Sequence, residues 1–410
     1  MSEPYRPAAV VIGLDCITGL QTARILASRG VPVVGLARDT GHYCCRTNSA
    51  ERVIAADTRG PGLLSALRAL GAERPAEAVL FPCSDEAVLT VGRGRDQLPD
   101  GYCAVMPETD TLELLALKSR FYRHAERAGW AIPRTWFLRS RAEAEALAPE
   151  LTYPCVLKPS LKTPAWFEAV RVKVVRVESR GELLEQYDRC APAVDELILQ
   201  EWIPGGDADM YACYSYLDAG SRPVGVLVAR KLRQWLPETG SGTLSVTVDC
   251  PPIVEETLRV LRDVRYRGLS FLQFKRHART GAYHVIEANV GRPGIGMPIA
   301  EAAGVELLYT QYCDALDLPR PAARPAPAGE VKWICWRRDL ASAYHYWRRG
   351  ELSLACWWRS VRGRRRCAVF SWRDLRPFAA DVLRHLPGRR SRSRRRAGGR
   401  APRPTEGRIS

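Results

Sequence analysis

The sequence has no run of about 18 apolar residues, so no segment is long enough to cross a bilayer as a helix. Its first residues, MSEPYRPAAVVIGL, lack a basic stretch followed by an apolar core, and we expect no signal peptide. Thirteen cysteines are scattered without a CxxC pair, which favours free thiols in a reducing compartment. These absences predict a cytoplasmic protein without disulfides.

The chain of 410 residues is longer than one compact core usually holds, so several subdomains are expected. Its net charge of +16 is placed unevenly, because residues 1–329 carry 39 basic and 39 acidic residues. Residues 387–410 hold nine arginines and one glutamate, and their low complexity predicts a disordered basic tail.

The order of apolar runs predicts an α/β region followed by an α+β region. Strands and amphipathic helices alternate through residues 1–117, which is typical of a Rossmann-like domain. A different pattern covers residues 118–318, where several strands follow one another directly. Residues 319–329 are rich in proline and alanine and predict a stiff linker to a basic, tryptophan-rich segment at 330–386.

Two neighbouring strands before that linker are predicted to form a hairpin. The runs LSFLQFKRH and HVIEANVGRPG are joined by ARTG, and a tight loop near Thr280 would need Gly281 in the left-handed region. Pairing around this loop sets Gln273 opposite Glu287. It also sets Phe271 opposite Asn289 and Lys275 opposite Val285.

This hairpin gathers polar oxygen atoms on one face. Residues two apart on a strand project from the same side, so Glu287 and Asn289 point together and Gln273 joins them from the partner strand. Oxygen ligands without histidine or cysteine suit a hard cation, Mg²⁺ or Mn²⁺, that also binds phosphates. A solvated strand end is equally compatible with this cluster alone.

Four further segments place basic or turn-forming residues where an anion could bind. Lys158 closes the strand YPCVLKP, and Lys118 opens a helix. ARKLRQWLPETGSG sets Lys231 and Arg233 before a glycine-rich turn, and ILQEWIPGGD leaves a strand through Pro and Gly. A lone lysine is commonly a surface residue, so these positions indicate a site only in combination.

In combination, these segments resemble the ATP-grasp superfamily, and within it the carboxylate–amine ligases of the D-aspartate ligase type. The resemblance covers about residues 8–320 and rests on the order and spacing of several segments. They are GLQTARILASRGVPVVGL, FPCSDEAV, LALKSRFYRHAERAGWAIPRTW, VLKPS, LQEWIPGGD, ARKLRQWLPETGSG and FLQFKRHARTGAYHVIEANVGRPG.

The resemblance implies an ATP-grasp fold with a Rossmann-like N-terminal domain and a small lid subdomain at about 130–203. It implies ATP and Mg²⁺ as cofactors, and ADP-forming ligation of a small carboxylate to an amine through an acyl phosphate. Lys118 and Lys158 would hold the phosphates. The remaining nucleotide contacts would be the hinge Gln200, Glu201, Trp202 and Ile203 for adenine, and Asp207 for ribose.

The resemblance also implies the metal ligands and the catalytic groups. Glu287 and Asn289 match metal-binding residues, with Gln273 opposite them. Lys231 and Arg233 would lie near the transferred phosphate, and Arg292 near the acceptor carboxylate. Acceptor contacts from the N-terminal domain are expected around Ser84 and Asp85.

Three positions depart from the superfamily's pattern. Gln273 stands where an acidic metal ligand is usual, and the segment SLKTPAWFEAV after Lys158 lacks the usual glycines. EANVGR also shifts Arg292 by one position. A protein of the same fold that binds ATP without turnover is therefore the alternative.

An NAD-dependent oxidoreductase is a weaker alternative, suggested by the first β–α–β unit and Asp39. GLDCITG is not the G-x-G-x-x-G fingerprint of such enzymes. The basic, tryptophan-rich C-terminal segment suits a membrane surface, an acidic partner or nucleic acid, or else packs against the body. The sequence carries no signal for the oligomeric state.

Overall fold

The computed structural model describes residues 6–73, 76–160 and 163–385. The predicted basic tail at 387–410 lies outside the described residues. All thirteen cysteines lie within these ranges as free thiols, as expected. None of the helices described there is long and apolar enough to cross a bilayer.

The N-terminal domain is a parallel sheet covered by helices, as its alternating pattern predicts. Its strands are β1 (Ala8–Ile12), β2 (Val33–Ala37), β3 (Arg52–Ala55), β4 (Ala78–Pro82) and β5 (Tyr102–Cys103). Its helices are α1 (Ile17–Ala27), α2 (Gly60–Glu73), α3 (Asp85–Arg93) and α4 (Thr109–Ala116). The sheet order is β3-β2-β1-β4-β5, and its central strands are apolar throughout because helices bury both faces.

The lid subdomain is a separate four-stranded antiparallel sheet within the range assigned to it above. Its strands are β6 (Thr135–Leu138), β7 (Cys155–Pro159), β8 (Val175–Val177) and β9 (Leu197–Glu201), in the order β6-β9-β7-β8. Helix α5 (Lys118–Arg127) leads into it, and its own helices are α6 (Arg141–Leu147), α7 (Pro164–Val170) and α8 (Arg180–Cys190). It has its own apolar core, which includes Trp166 and Leu199.

A seven-stranded sheet forms the centre of the molecule. It contains β10 (Met210–Leu217), β11 (Pro223–Trp235), β12 (Ser241–Val248), β13 (Gly268–Arg276) and β14 (Tyr283–Val290). Helices α9 (Pro251–Asp263), α10 (Pro298–Ala302) and α11 (Leu307–Ala315) pack around it.

The C-terminal segment is built into this sheet rather than attached through a spacer. Its elements are β15 (Val331–Ile334), α12 (Trp336–Arg348), α13 (Leu354–Val361), β16 (Arg364–Cys367) and α14 (Arg376–His385). Strand β15 pairs with β12, which gives the order β14-β13-β10-β11-β12-β15-β16. The proline-rich stretch before it runs along the body, where Ala326 N donates to Ala303 O at 2.7 Å.

The C-terminal segment is also tied to the N-terminal domain by a buried ion pair. Arg24 of α1 donates to the Asp374 carboxylate at 2.9 Å and to the Val369 carbonyl at 2.8 Å. Thr47 donates to the same carboxylate at 2.5 Å. Residues 330–385 therefore connect the central sheet to the N-terminal domain.

The hairpin of β13 and β14 pairs Gln273 with Glu287 and Phe271 with Asn289, as predicted, and Gly281 has a φ of 76°. The predicted partner of Lys275 is wrong, because Val285 pairs with Phe274 instead. The extra residue is Ile286, a β-bulge. The bulge lets Val285 enter the core while Ile286 and Glu287 both face the cavity described next.

Candidate active site

A cavity of about 350 Å³ lies where the lid sheet faces the central sheet, and this volume is typical of small-molecule sites. All parts of the chain contribute to it, including Asp85 from the N-terminal domain and Trp333 from the C-terminal segment. Its cationic residues are Lys118, Lys158, Lys173, Lys231, Lys275 and Arg292, and its acidic residues are Asp85, Glu201, Glu238 and Glu287. This excess of positive charge favours an anionic ligand.

Lys158 projects from β7 into the cavity and is almost fully buried. Its ammonium group donates to the Tyr122 hydroxyl and to Oε1 of Gln200, each at 2.7 Å. Burial raises the pKa of Tyr122, so its hydroxyl stays protonated and donates to the carbonyl of Ile286. Helix α5 and strand β9 together fix the position of this lysine.

Lys118 is the first residue of α5, and its backbone nitrogen donates to the Ser160 carbonyl at 3.2 Å. Its ammonium nitrogen lies 2.8 Å from Oε1 of Glu287. The two lysines that the sequence singled out therefore line one cavity together with the β13–β14 hairpin.

The three oxygen-bearing side chains predicted from the hairpin also meet in the cavity. Nε2 of Gln273 donates to Oε2 of Glu287 at 3.0 Å, and its Oε1 accepts from Lys231 at 3.1 Å. Nδ2 of Asn289 is buried and has no hydrogen-bond partner among the described residues. A buried amide without an acceptor is costly, so a ligand that supplies an oxygen here would be stabilised.

Arg292 is held at another wall of the cavity by three oxygen atoms, of which the Pro293 carbonyl, at 3.3 Å, is the most distant. Its Nε donates to Oδ1 of Asp85 at 2.5 Å, and its Nη2 donates to Oδ1 of Asn289 at 2.6 Å. Burial alone would raise the pKa of Asp85, but the Arg292 guanidinium holds it below its ordinary value. Asp85 begins α3, whose first turn is capped by Ser84, so the N-terminal domain positions this cation.

Lys231 is the cation beside Gln273. Burial, and next the nearby charge of Lys173, lower the pKa of Lys231 from 10.5 to about 8. An anion bound against Lys231 would raise this pKa again, because it would stabilise the ammonium form.

The end of β9 and the residues that follow it form a further wall of the cavity. Its lining residues there are Gln200, Glu201, Trp202 and Ile203. Apolar side chains accompany it, including Val156 on the neighbouring strand β7. A flat, partly apolar ring could therefore lie against backbone groups at this end.

Comparison with known proteins gives a fold and one distant relative. No protein-family model matches this chain. The D-aspartate ligase of Enterococcus faecium (strain Aus0004) is 24% identical over 222 residues, which are 52% of this chain and 52% of that protein. The chain thus matches about half the length of this curated relative.

Solved structures resemble the chain over most of its length. The biotin carboxylase domain of the Hydrogenobacter thermophilus 2-oxoglutarate carboxylase, in complex with MgADP, ADP and bicarbonate, superposes with a TM-score of 0.62 at 14% identity. That match covers 80% of this chain and 74% of the other. The L-amino acid ligase of Bacillus licheniformis superposes with a TM-score of 0.58 at 16% identity. That match covers 79% of this chain and 78% of the ligase.

The chain has the ATP-grasp fold. The fold class predicted from the sequence is confirmed, and the cavity lies between the two sheets of the ATP-grasp domain.

Arg233 is not where a contact with the transferred phosphate requires it. Residues 231 and 233 would share a face in a regular strand, but a bulge at Leu232 shifts the pairing of β11 with β12. Lys231 and Gln234 therefore line the ATP-grasp cavity, while Arg233 is absent from its wall and lies buried against Asp339 of α12. The expected place of Arg233 needs this correction.

Asp207 is likewise outside the cavity wall. One of its oxygens accepts from Gln234 at 2.6 Å and from the backbone nitrogen of Glu238 at 2.8 Å. The other accepts from the Tyr346 hydroxyl of the C-terminal segment. Burial raises the pKa of this carboxyl group, and its bonds serve the structure around the β11–β12 turn rather than a ribose.

Sequence reasoning missed several residues of the wall. Lys173 follows the glycine-poor segment after Lys158 and donates to Ser241 at 2.5 Å, so the lid and the β11–β12 hairpin touch. Lys275 donates to the carbonyls of Gly205 and Gly206 at 2.8 and 2.6 Å. The alternation of LQFKRH gave a signal for Lys275, which lies on β13 two residues after Gln273. Lys173 precedes β8 outside any strand, and neither it nor Trp333 had such a signal.

Proposed function

We propose that this protein is an ATP- and Mg²⁺-dependent ligase that joins a small carboxylate to an amine and releases ADP and phosphate. One observation carries the proposal: Lys118, Lys158, the Gln273–Glu287–Asn289 cluster and Arg292 line a single cavity. The names of the matched D-aspartate ligase and L-amino acid ligase support the same reaction class.

The arrangement supports a nucleotide with its phosphates at Lys118 and Lys158. Both ammonium groups are buried or nearly so, which strengthens their attraction to phosphate over that of surface lysines. The base would lie at the end of β9, near Trp202 and Ile203. The complex of the matched biotin carboxylase domain with MgADP is consistent with such a ligand.

The hairpin side chains fit one divalent cation. Glu287 would supply a carboxylate, and Asn289 and Gln273 would supply amide oxygens, with phosphates and water completing the shell. Without the cation these oxygens accept from Lys118, Arg292 and Lys231, which would turn to the phosphates when it binds. Among the described residues no cluster of three or more His, Cys, Asp or Glu side chains could hold a metal, so a second all-protein site is not part of the proposal. Bound there, Mg²⁺ would neutralise phosphate charge and fix the orientation of the triphosphate.

In the proposed first step, a carboxylate oxygen of the acid attacks the γ-phosphorus of ATP, and the bond to the bridging oxygen breaks as ADP leaves. Arg292 would orient the acid. Among the described residues Asp85 is its one carboxylate partner, and its bonds to Asn289 and Pro293 are to neutral oxygens that a substrate carboxylate could displace. Lys231 would stabilise charge on the transferred group.

In the second step the amine nitrogen attacks the acyl carbon, phosphate leaves with one former carboxylate oxygen, and the nitrogen loses a proton. Water must be excluded while the acyl phosphate exists. Contacts between the lid and the β11–β12 hairpin suit this task, since Arg176 bonds Glu238 at 2.8 Å and lies 4.6 Å from the Trp202 ring centre.

A binding protein without turnover is the second candidate, and Gln273 favours it. The neutral amide oxygen of Gln273 accepts a hydrogen bond from Lys231, whereas an acidic residue at this position would add a negative charge to the proposed metal site. The NAD alternative has less support, because the cavity lies between the ATP-grasp sheets and not at the first β–α turn. Thirteen free thiols support a cytoplasmic location.

The test is phosphate release from ATP and Mg²⁺ across a panel of amino acids and carboxylic acids, each with and without an amine. We expect release only with a matched acid and amine. When the acid carries ¹⁸O, one labelled oxygen should appear in phosphate. Lys158→Met should abolish release, and Lys332→Met, a lysine outside the cavity wall, should not. Nucleotide binding without release across the panel would favour the second candidate.

A further inference from the structure

Two helices of the C-terminal segment expose an apolar surface, which we call the aromatic face. It consists of Leu340, Tyr344 and Trp347 on α12 and Leu354 and Trp358 on α13. The spacings i, i+4, i+7 and i, i+4 set each group on one side of its helix. All five are more than half exposed, and Leu354 reaches 72%.

Four of the five residues of the aromatic face, all except Trp358, line a groove. A cavity of about 200 Å³ lies between the two helices, and its walls include Leu340, Trp347, Leu354 and Trp357. Ser353 is the one lining residue with a polar side chain apart from the tyrosine and tryptophan rings. Such a groove fits apolar chains better than water.

The opposite side of α12 is already occupied by the body of the protein. Asp339 is fully buried in its ion pair with Arg233, and Nε1 of Trp357 donates to the same carboxylate at 3.1 Å. The Ser342 hydroxyl donates to the Gln234 carbonyl at 2.9 Å. These contacts fix the orientation of both helices, so the aromatic face stays outward.

Positive charge lies beside the aromatic face, where the Arg362 guanidinium is 5.2 Å from the ring centre of Trp358. Residues 336–366 contain nine arginines and two acidic residues. Both acidic residues are already paired. Asp339 forms an ion pair with Arg233, and a carboxylate oxygen of Glu351 lies 2.6 Å from Nε of Arg349. The exposed arginines near the two helices include Arg348, Arg359, Arg362, Arg364 and Arg365.

We propose that the aromatic face docks on an anionic lipid bilayer, with Trp347 and Trp358 at the level of the headgroups and the leucines toward the acyl chains. Tryptophan and tyrosine prefer the membrane interface, and arginines beside them attract anionic headgroups. A symmetric contact with a second copy would bring two strongly positive surfaces together. Nucleic acid would use the arginines and rings but leave the aliphatic groove unfilled. This inference is independent of the ligase reaction.

The test is flotation of the full chain with vesicles of phosphatidylcholine, or of phosphatidylcholine containing about one-third phosphatidylglycerol. We expect binding only to the anionic vesicles, weakened by added salt. The double variant Trp347→Ser/Trp358→Ser should bind about tenfold more weakly. The control is Trp372→Ser, because Trp372 is 81% exposed but lies outside α12 and α13 and so is not part of the aromatic face. Circular dichroism melting would verify that both variants fold.

Three results would overturn the proposal. Equal vesicle binding by the double variant and the wild type would assign binding to other basic residues. Loss of a dimer in sedimentation, without a change in vesicle binding, would identify a second copy as the occupant. Binding of single-stranded RNA that depends on Trp347 and Trp358, in the absence of vesicle binding, would identify nucleic acid.

Discussion

Arg233 and Asp339 form a bidentate ion pair, with Nε and Nη2 of the arginine each 2.9 Å from a carboxylate oxygen. The arginine side chain is 5% exposed and the aspartate is fully buried. Thr243 and Trp357 donate to the same carboxylate at 3.1 Å each. The pair therefore joins the central sheet to the C-terminal helices, and makes residues 330–385 part of the ATP-grasp body.

Replacing Asp339 by Asn should strongly destabilise the protein, because it leaves the buried guanidinium of Arg233 without its counter-charge. We expect a loss of about 3–5 kcal/mol in the free energy of unfolding, measured by urea denaturation. Glu145→Gln is the control, since its pair with Arg141 is exposed and should matter by less than about 1 kcal/mol. Similar losses in the two variants would contradict the structural role given to the buried pair.

Removing either nucleotide lysine should weaken binding of ADP. Lys118→Ala and Lys158→Ala would each remove the charge-assisted phosphate bond proposed above, so we expect a rise in Kd of about tenfold or more in calorimetric titration. Lys332→Ala removes a lysine outside the cavity wall, whose ammonium donates to the Arg362 carbonyl at 2.7 Å, and its Kd should stay unchanged. Equal changes in Kd for all three variants would contradict the proposed position of the phosphates at Lys118 and Lys158.

Nucleotide affinity should fall as pH rises through about 8, because Lys231 then loses the proton that attracts phosphate. Binding near this pH should take up protons, which calorimetry in buffers of different ionisation enthalpy detects. Lys231→Gln should bind more weakly at pH 7 and show no such uptake. In the free protein the lowered pKa costs stability below pH 8. The free energy of unfolding should therefore rise with pH between about 8 and 10.5, where the unfolded chain holds more protons.

Gln273→Glu should tighten divalent metal binding. The substitution adds a carboxylate beside Glu287, and we expect Mn²⁺ to bind the ADP complex about tenfold more tightly by electron paramagnetic resonance. Gln97→Glu, the same change on the exposed surface, should leave metal affinity as it is. An unchanged affinity in Gln273→Glu would mean that residue 273 does not face the metal.

The parts of the site that depend on local spacing were readable from the sequence. Glu287 and Asn289 lie two apart on a strand, and a tight loop with Gly281 sets Gln273 opposite Glu287, so the cluster follows from strand geometry. Lys118 and Lys158 were found by their positions at element boundaries and by the resemblance, since a single lysine carries little information.

Alternation fails where a strand takes up an extra residue, and the sequence does not mark such places. The bulge at Leu232 turned Arg233 from the cavity toward α12, and the bulge at Ile286 moved Val285 into the core. Both depend on what packs against the strand from distant parts of the chain.

The sequence by itself determined the strand–helix order, the oxygen cluster on the hairpin and the neutral body with its basic end, because these follow from residue spacing and composition. Only the tertiary structure decided that β15 extends the central sheet, that Asp85 positions Arg292, and that Asp207 and Arg233 serve the framework. The physical reason is that each of these depends on pairing between residues far apart in the chain, such as Arg24 with Asp374, which burial and geometry select.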